Sequence, residues 1–189
     1  MKLILIRHGQ TEANEKRLYC GRTDLPLSET GRKELEALRE QGVCPDPAGM
    51  RILISPKKRC RETLAILYGE VPYETDEALC EMDLGAFEMH SYEELKEDPA
   101  YIEWITGYNE AKPTPGGESG LMMRERVLAA LDRVLEDGRD TLIITHGGVI
   151  AAIMDRLFAG SESRNRYEWQ PQNGRGYRVD TEAPSFEAF

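Results

Sequence analysis

Leu3-Ile4-Leu5-Ile6-Arg7-His8-Gly9-Gln10-Thr11 is the stretch on which the fold turns. A run of aliphatic residues without polar interruption suits a β-strand buried on both faces, as in a parallel sheet covered by helices. The run stops abruptly on a fixed cation, an imidazole and a flexible backbone. Open α/β sheets bind ligands beyond the carboxyl ends of their strands, so Arg7 and His8 stand where chemistry is expected. A surface loop that merely holds Arg and His fits this stretch alone equally well.

Two further aliphatic runs repeat the pattern. Arg51-Ile52-Leu53-Ile54 ends on Ser55-Pro56, which reads as the N-cap and first position of a helix to Tyr68. That placement puts Arg59 in the first helical turn, near the strand end. Thr141-Leu142-Ile143-Ile144-Thr145 ends on His146-Gly147-Gly148 and leads into a helix from Val149 to Phe158. Ser28 reads as the N-cap of a helix to Gln41 with Leu35 and Leu38 inward. A longer helix from Ser119 to Leu135 stops at Gly138. Pro72–Thr75 and Tyr177–Val179 are shorter strand candidates, the latter after an Asn173-Gly174 turn. Strands alternating with helices predict an α/β fold, a three-layer α/β/α sandwich around a mostly parallel sheet, as one domain over residues 1–189. Between 83 and 118 the chain becomes acidic and aromatic. Two short helices, Tyr92–Glu97 and Ala100–Gly107, are expected there, in a small insertion folded over the site. After Gly160 the chain turns polar.

Lys plus Arg number 24 against 34 Asp plus Glu, a net charge of -10, which argues against nonspecific binding to nucleic acid or an anionic membrane surface. Any anion site must then be a local basic pocket working against the overall field. The apolar runs are far shorter than a membrane span. The start, Met1-Lys2-Leu3, leads into the strand without a signal-peptide core, so a cytoplasmic location is expected. Cys20, Cys44, Cys60 and Cys80 form no CxxC pair, consistent with free thiols in a reducing compartment.

If the three aliphatic strands are near neighbours, Arg7, His8, Arg59 and His146 converge at one sheet edge. Two guanidiniums suit a phosphoryl group, which they can hold bidentately. Two imidazoles supply a nucleophile and a partner donor. Of the 3 histidines, His8 and His146 occupy strand ends; His90 lies in the polar insertion and reads as solvated. A metal site would place carboxylates beside the histidines; arginines stand there instead, so no metal and no cofactor are expected.

Arg7-His8-Gly9 with Thr11 and Asn14 resembles the signature of the histidine phosphatase superfamily, the phosphoglycerate-mutase-like enzymes. The resemblance continues through Gly21-Arg22-Thr23-Asp24-Leu25-Pro26-Leu27-Ser28 and Ser55-Pro56-Lys57-Lys58-Arg59 to Glu81 with Asp83-Leu84-Gly85. Gly117-Glu118-Ser119 and Thr145-His146-Gly147 complete it in order. It implies that His8 attacks phosphorus and becomes a phosphohistidine. Arg7, Arg59 and His146 would surround the phosphoryl oxygens, and Glu81 would protonate the leaving alkoxide and then activate water. Asn14 would contact the phosphate, with Gln10, Gly21 and Gly147 as further substrate-binding positions. Glu81 is singled out among the acidic residues by the resemblance alone. Met89 departs from the pattern, standing where the family often has glycine, and could reshape the pocket. The short, acidic insertion points to hydrolysis of a small phosphomonoester, and length and motif wording resemble the compact bacterial branch that includes alpha-ribazole phosphatases. Mutase-type phosphoryl transfer, and a noncatalytic protein that binds a phosphorylated ligand, stay open as alternatives.

Overall fold

The computed structural model describes residues 1–108, 110–158 and 166–189. Its strands are β1 (Lys2–Arg7), β2 (Arg51–Ile54), β3 (Glu74–Thr75), β4 (Thr141–Thr145), β5 (Gly176–Asp180) and β6 (Ser185–Ala188). Its α-helices are α1 (Glu12–Glu15), α2 (Glu29–Glu40), α3 (Lys58–Tyr68), α4 (Tyr92–Leu95), α5 (Pro99–Thr106), α6 (Gly120–Asp137) and α7 (Gly147–Phe158). The strands form one sheet in the order β3-β2-β4-β1-β5-β6. The first four in that order are parallel, while β5 and β6 pair antiparallel at one side.

Side chains alternate along a strand, so the aliphatic residues of β1 divide between two cores. Leu3 and Leu5, with Leu53 and Ile143, pack against α6 and α7 through Val127, Leu131, Ile150 and Ile153. Ile4 and Ile6, with Ile54 and Ile144, pack against α2 and α3 through Leu35, Leu38, Leu64 and Leu67. Burying one such side chain contributes about 1.5–3 kcal/mol. The central strands are thus gripped from both faces, and their carboxyl ends are fixed points. The expected α/β/α layering and mostly parallel sheet are what the chain adopts.

Several boundaries differ from the sequence reading. Ser55 does not cap α3: the N-cap is Lys57, without a side-chain cap of its own. Asp24 supplies the cap from a distant loop, accepting the Lys58 N–H at 2.7 Å, and the Ser55 hydroxyl is used in the site instead. Helix α7 begins at Gly147 rather than Val149, because two glycines carry no apolar period from which to read a start. β6 was not expected; Ser-Phe-Glu-Ala at a mostly exposed sheet edge has little hydrophobic pattern. Gly138 does stop α6, in the left-handed conformation (φ 70°) that glycine adopts without steric cost. The polar stretch after Gly160 lies outside the described residues as far as 165. Beyond it, Trp169 is buried against Phe158, Tyr177 and Phe186 and closes the core under α7.

In the 83–118 region Tyr101 and Trp104 of α5 and Leu95 of α4 pack with Phe87 into a small aromatic core that leans on Tyr19, Met82 and Leu84. Asp98 caps α5 by accepting the Ala100 N–H, with Pro99 at the first helical position. Met89 does not line the cavity described below; its backbone is left-handed (φ 62°) and its N–H donates to the Tyr19 carbonyl at 2.7 Å. The turn here takes a conformation that glycine adopts without cost and that Met89 adopts under strain. Among the described residues, no helix is long and apolar enough to cross a membrane.

Candidate active site

Strand register assembles the site before any side chain is considered. Ile6 lies opposite Ile144, and Ile144 opposite Ile54. The His8 N–H donates to the Thr145 carbonyl at 2.9 Å, and the Ser55 N–H to the Ile144 carbonyl at 3.0 Å. From these ends the His8 and His146 rings meet with centroids 5.1 Å apart, inclined by 66°. The Arg59 guanidinium lies alongside, with Nη2 at 3.2 Å from His146 Nδ1. His8, Arg59 and His146 are all buried. Arg7, Asn14, Glu81 and Gly148 line a cavity of about 390 Å³.

Hydrogen bonding selects the tautomer of each imidazole. His8 Nδ1 lies 2.7 Å from the Gly9 carbonyl, which can only accept. Nδ1 therefore carries the hydrogen, and Nε2 keeps its lone pair. Burial, then Arg59 and Arg7, hold the His8 pKa well below 6.5 and so keep the ring neutral. His146 is fixed the other way round. Its Nδ1 accepts from Arg59 Nε and Nη2, and its Nε2 donates to Ser55 Oγ at 2.8 Å. Burial, Arg59 and His8 also push its pKa well below 6.5.

Arg59 also donates from Nη1 to the Thr23 carbonyl and from Nη2 to the Gly21 carbonyl, each at 2.7 Å. Arg7 Nη1 donates to the Pro171 carbonyl at 2.9 Å, whereas its buried Nε has no partner among the described residues. An unpaired buried N–H costs about 1–3 kcal/mol, so an incoming oxyanion that satisfies it is favoured. Burial lowers the Arg7 pKa while the Glu81 carboxylate opposes that shift. Glu81 accepts from the Met82 N–H at 3.0 Å and from the Gly148 N–H at 2.9 Å, the latter in the first turn of α7. A Cβ on Gly148 would stand 2.5 Å from Glu81 Oε1 and would displace the carboxylate from this position.

The other substrate-binding candidates are placed unevenly. Asn14 lines the cavity, and its Oδ1 accepts from the Thr11 N–H and hydroxyl, each at 3.0 Å, which leaves its Nδ2 as donor. Gly147 lies against the Arg7 guanidinium at the start of α7. Gln10 and Gly21, like the buried His8, Arg59 and His146, do not line this cavity themselves. The Gln10 carbonyl binds the Ser28 N–H, and both backbone groups of Gly21 are engaged, with Glu88 and Arg59. Cys60 is a buried thiol whose pKa burial raises to about 12, and Cys20 borders the cavity.

Other residues hold the site without having been singled out by the sequence. Ser55 fixes His146. Thr63 accepts the Gly9 N–H at 2.9 Å and donates to the Arg59 carbonyl at 2.6 Å. Asn173 Nδ2 donates to the His8 carbonyl at 2.9 Å, from a segment far along the chain. Glu88 gathers the N–H groups of Gly21, Arg22, Thr23 and Leu84 and the Thr23 hydroxyl. It thereby aims the Gly21 and Thr23 carbonyls at Arg59. Burial alone would raise the Glu88 pKa, but the Thr23 hydroxyl and these N–H groups hold it below 4.5. A carboxyl whose folded-state pKa is lowered stabilises fully above its unfolded value and loses that contribution as pH falls through the folded one. Glu88→Gln is therefore expected to cost about 2 kcal/mol at pH 7. The gap from wild type, followed by thermal melts, narrows below pH 4.5.

The fold and this cluster of two histidines, two arginines and a glutamate agree with the comparison to known proteins. Residues 3–188 match the histidine phosphatase superfamily (branch 1), and the chain belongs to that superfamily as an enzyme of its phosphatase class. It is similar to the adenosylcobalamin/alpha-ribazole phosphatase of Salmonella typhimurium, 35% identical over 83% of this chain and 79% of that one. It is also 33% identical to a 2,3-bisphosphoglycerate-dependent phosphoglycerate mutase of Cytophaga hutchinsonii, over 82% of this chain and 76% of that one. The crystal structure of the alpha-ribazole phosphatase from Shigella flexneri superposes with a TM-score of 0.84 at 26% identity, covering 100% of this chain and 95% of that one.

Proposed function

We propose that this protein hydrolyses a small phosphomonoester through a phosphohistidine on His8, with Glu81 as general acid and then general base. The observation that carries the proposal is the neutral His8 with its Nε2 lone pair, set among Arg7, Arg59 and His146. His8 Nε2 forms a bond to phosphorus as the bond from phosphorus to the leaving oxygen breaks, and Glu81 delivers its proton to that oxygen. Water then attacks the phosphohistidine, the P–N bond breaks, and Glu81 takes the water proton. Arg7 and Arg59 bear on the equatorial oxygens, where the charge of transfer is spread, while His146, engaged by Arg59 at Nδ1 and by Ser55 at Nε2, packs against the His8 ring. No step calls for a metal.

The cavity favours hydrolysis over mutase chemistry. Transfer between two positions of a doubly phosphorylated intermediate calls for a second cluster of cations. Besides Arg7, the cations lining this cavity among the described residues come down to Arg124, which is paired with Asp155 at 3.2 Å. Much of the wall is apolar, with Leu18, Tyr19, Leu84, Trp104 and Met123 suited to a flat, carbon-rich leaving group. An alpha-ribazole phosphate would fit that description. Turnover of p-nitrophenyl phosphate that survives EDTA, together with release of inorganic phosphate from 3-phosphoglycerate rather than its isomerisation, is the expected outcome. Isomerisation without phosphate release would overturn the proposal in favour of a mutase.

A further inference from the structure

Arg126, on α6, is not among the residues lining the cavity, yet it spends three N–H groups on carbonyls of the segment that carries Glu81 and its other two on Glu118. Nη1 donates to the carbonyls of Ala78 at 2.9 Å and Cys80 at 2.7 Å. Nη2 donates to the Glu81 carbonyl at 2.9 Å and to Glu118 Oε2 at 2.8 Å, and Nε to Glu118 Oε1 at 2.7 Å. A guanidinium has five donors in a rigid planar fork, and here all of them are placed.

Glu118 extends the grip past Glu81, because its Oε2 also accepts the Asp83 N–H at 2.9 Å. The backbone is therefore tied at 78, 80, 81 and 83, on both sides of the Glu81 Cα. Among the described residues, the Glu81 carboxylate itself is steered by the N–H groups of Met82 and Gly148. Rotation of the Glu81 peptide, which would carry the carboxylate away from Gly148, would have to break the Arg126 bonds to the Cys80 and Glu81 carbonyls. The Arg126 and Glu118 side chains are only 19% and 14% exposed, so water screens the pair little.

We infer that Arg126 is a positioning residue for Glu81, holding the proton donor at the leaving oxygen through the carbonyls it clamps. The inference rests on the reading of Glu81 as general acid. A purely structural arginine would affect all substrates alike, whereas a positioning role depends on the leaving group. An alkoxide needs the proton in the transition state; p-nitrophenolate leaves with little help.

The test compares kcat/KM, which reports only as far as transfer onto His8, for 3-phosphoglycerate and p-nitrophenyl phosphate. Arg126→Gln is expected to lower the alkyl value by about 30-fold and the aryl value by less than about fivefold. Arg126→Lys keeps the charge beside Glu118 but reaches fewer carbonyls, and should show the same bias at smaller size. It also carries the test if Arg126→Gln does not fold. Glu81→Gln is the reference: it should show the full bias, and adding Arg126→Gln to it should add none. Equal losses on both esters in the Arg126 variants, or no loss, overturn the inference. Equal losses in Glu81→Gln overturn the general-acid reading instead.

Discussion

His8→Ala is expected to lower kcat for p-nitrophenyl phosphate by about 10⁴-fold or more while leaving the protein folded. The size of the effect follows from the division of labour in the site. On the proposed mechanism Arg7 and Arg59 can still bind and polarise the phosphoryl group, but water would have to attack it without a covalent intermediate. Stability should change little, because His8 is buried among cations and removing it deletes modest packing against His146. Two measurements accompany the rate. Rapid acid quench of wild-type enzyme with ³²P-labelled substrate should trap label on the protein, and His8→Ala should trap none. Titration by NMR should place the His8 imidazole below 6.5, since burial and two guanidiniums disfavour its charged form. The nucleophile therefore stays neutral into mildly acidic solution. Wild-type turnover in His8→Ala would remove the phosphohistidine from the mechanism.

The parts of this site that could be read from the chain share one property: each lies at the end of a strong aliphatic run. Arg7 ends β1, His8 and His146 directly follow β1 and β4, and parallel pairing alone brings them together. Arg59 was placed correctly near its strand end although the cap assigned to its helix was wrong. Ser55 reads as an N-cap by residue type, and its hydroxyl could be seen to serve His146 only once β2 and β4 were paired. Glu81 has no periodic element to mark it and depended on family likeness. Glu88, Arg126 and Asn173 hold backbone groups of loops distant in sequence, and long-range side-chain-to-backbone bonds leave no local signature. The two antiparallel strands divide in the same way: Tyr177 and Val179 point into the core, whereas β6 is mostly exposed. Gln10 and Gly21, within strong motifs, use their backbone groups to hold neighbours: the Gln10 carbonyl binds Ser28, and Gly21 binds Glu88 and Arg59.

Arg59→Lys is expected to lower kcat/KM by about 10³-fold and to destabilise the fold by about 3 kcal/mol, although the charge is kept. The Arg59 guanidinium is 1% exposed and does three things at once. It donates to the Thr23 and Gly21 carbonyls, it donates twice to His146 Nδ1, and on the proposed mechanism it meets a phosphoryl oxygen. A lysine ammonium is a single point on a flexible stem and cannot reach two carbonyls and an imidazole together. At least one carbonyl is then left buried without a donor. The Gly21–Thr23 loop, still drawn to Glu88, loses its second anchor, and His146 Nδ1 loses the donor that selects its tautomer. Chemical denaturation should report the first loss and steady-state kinetics the second. Inhibition by inorganic phosphate separates binding from catalysis: if Arg59 holds the phosphoryl group already in the ground state, the inhibition constant rises along with the loss of kcat/KM. If it acts only as charge develops in transfer, phosphate binds Arg59→Lys nearly as it binds wild type and the whole deficit falls on kcat. The fixed fork between Thr23, Gly21 and His146 favours the first outcome, because the guanidinium is already in place before any substrate arrives.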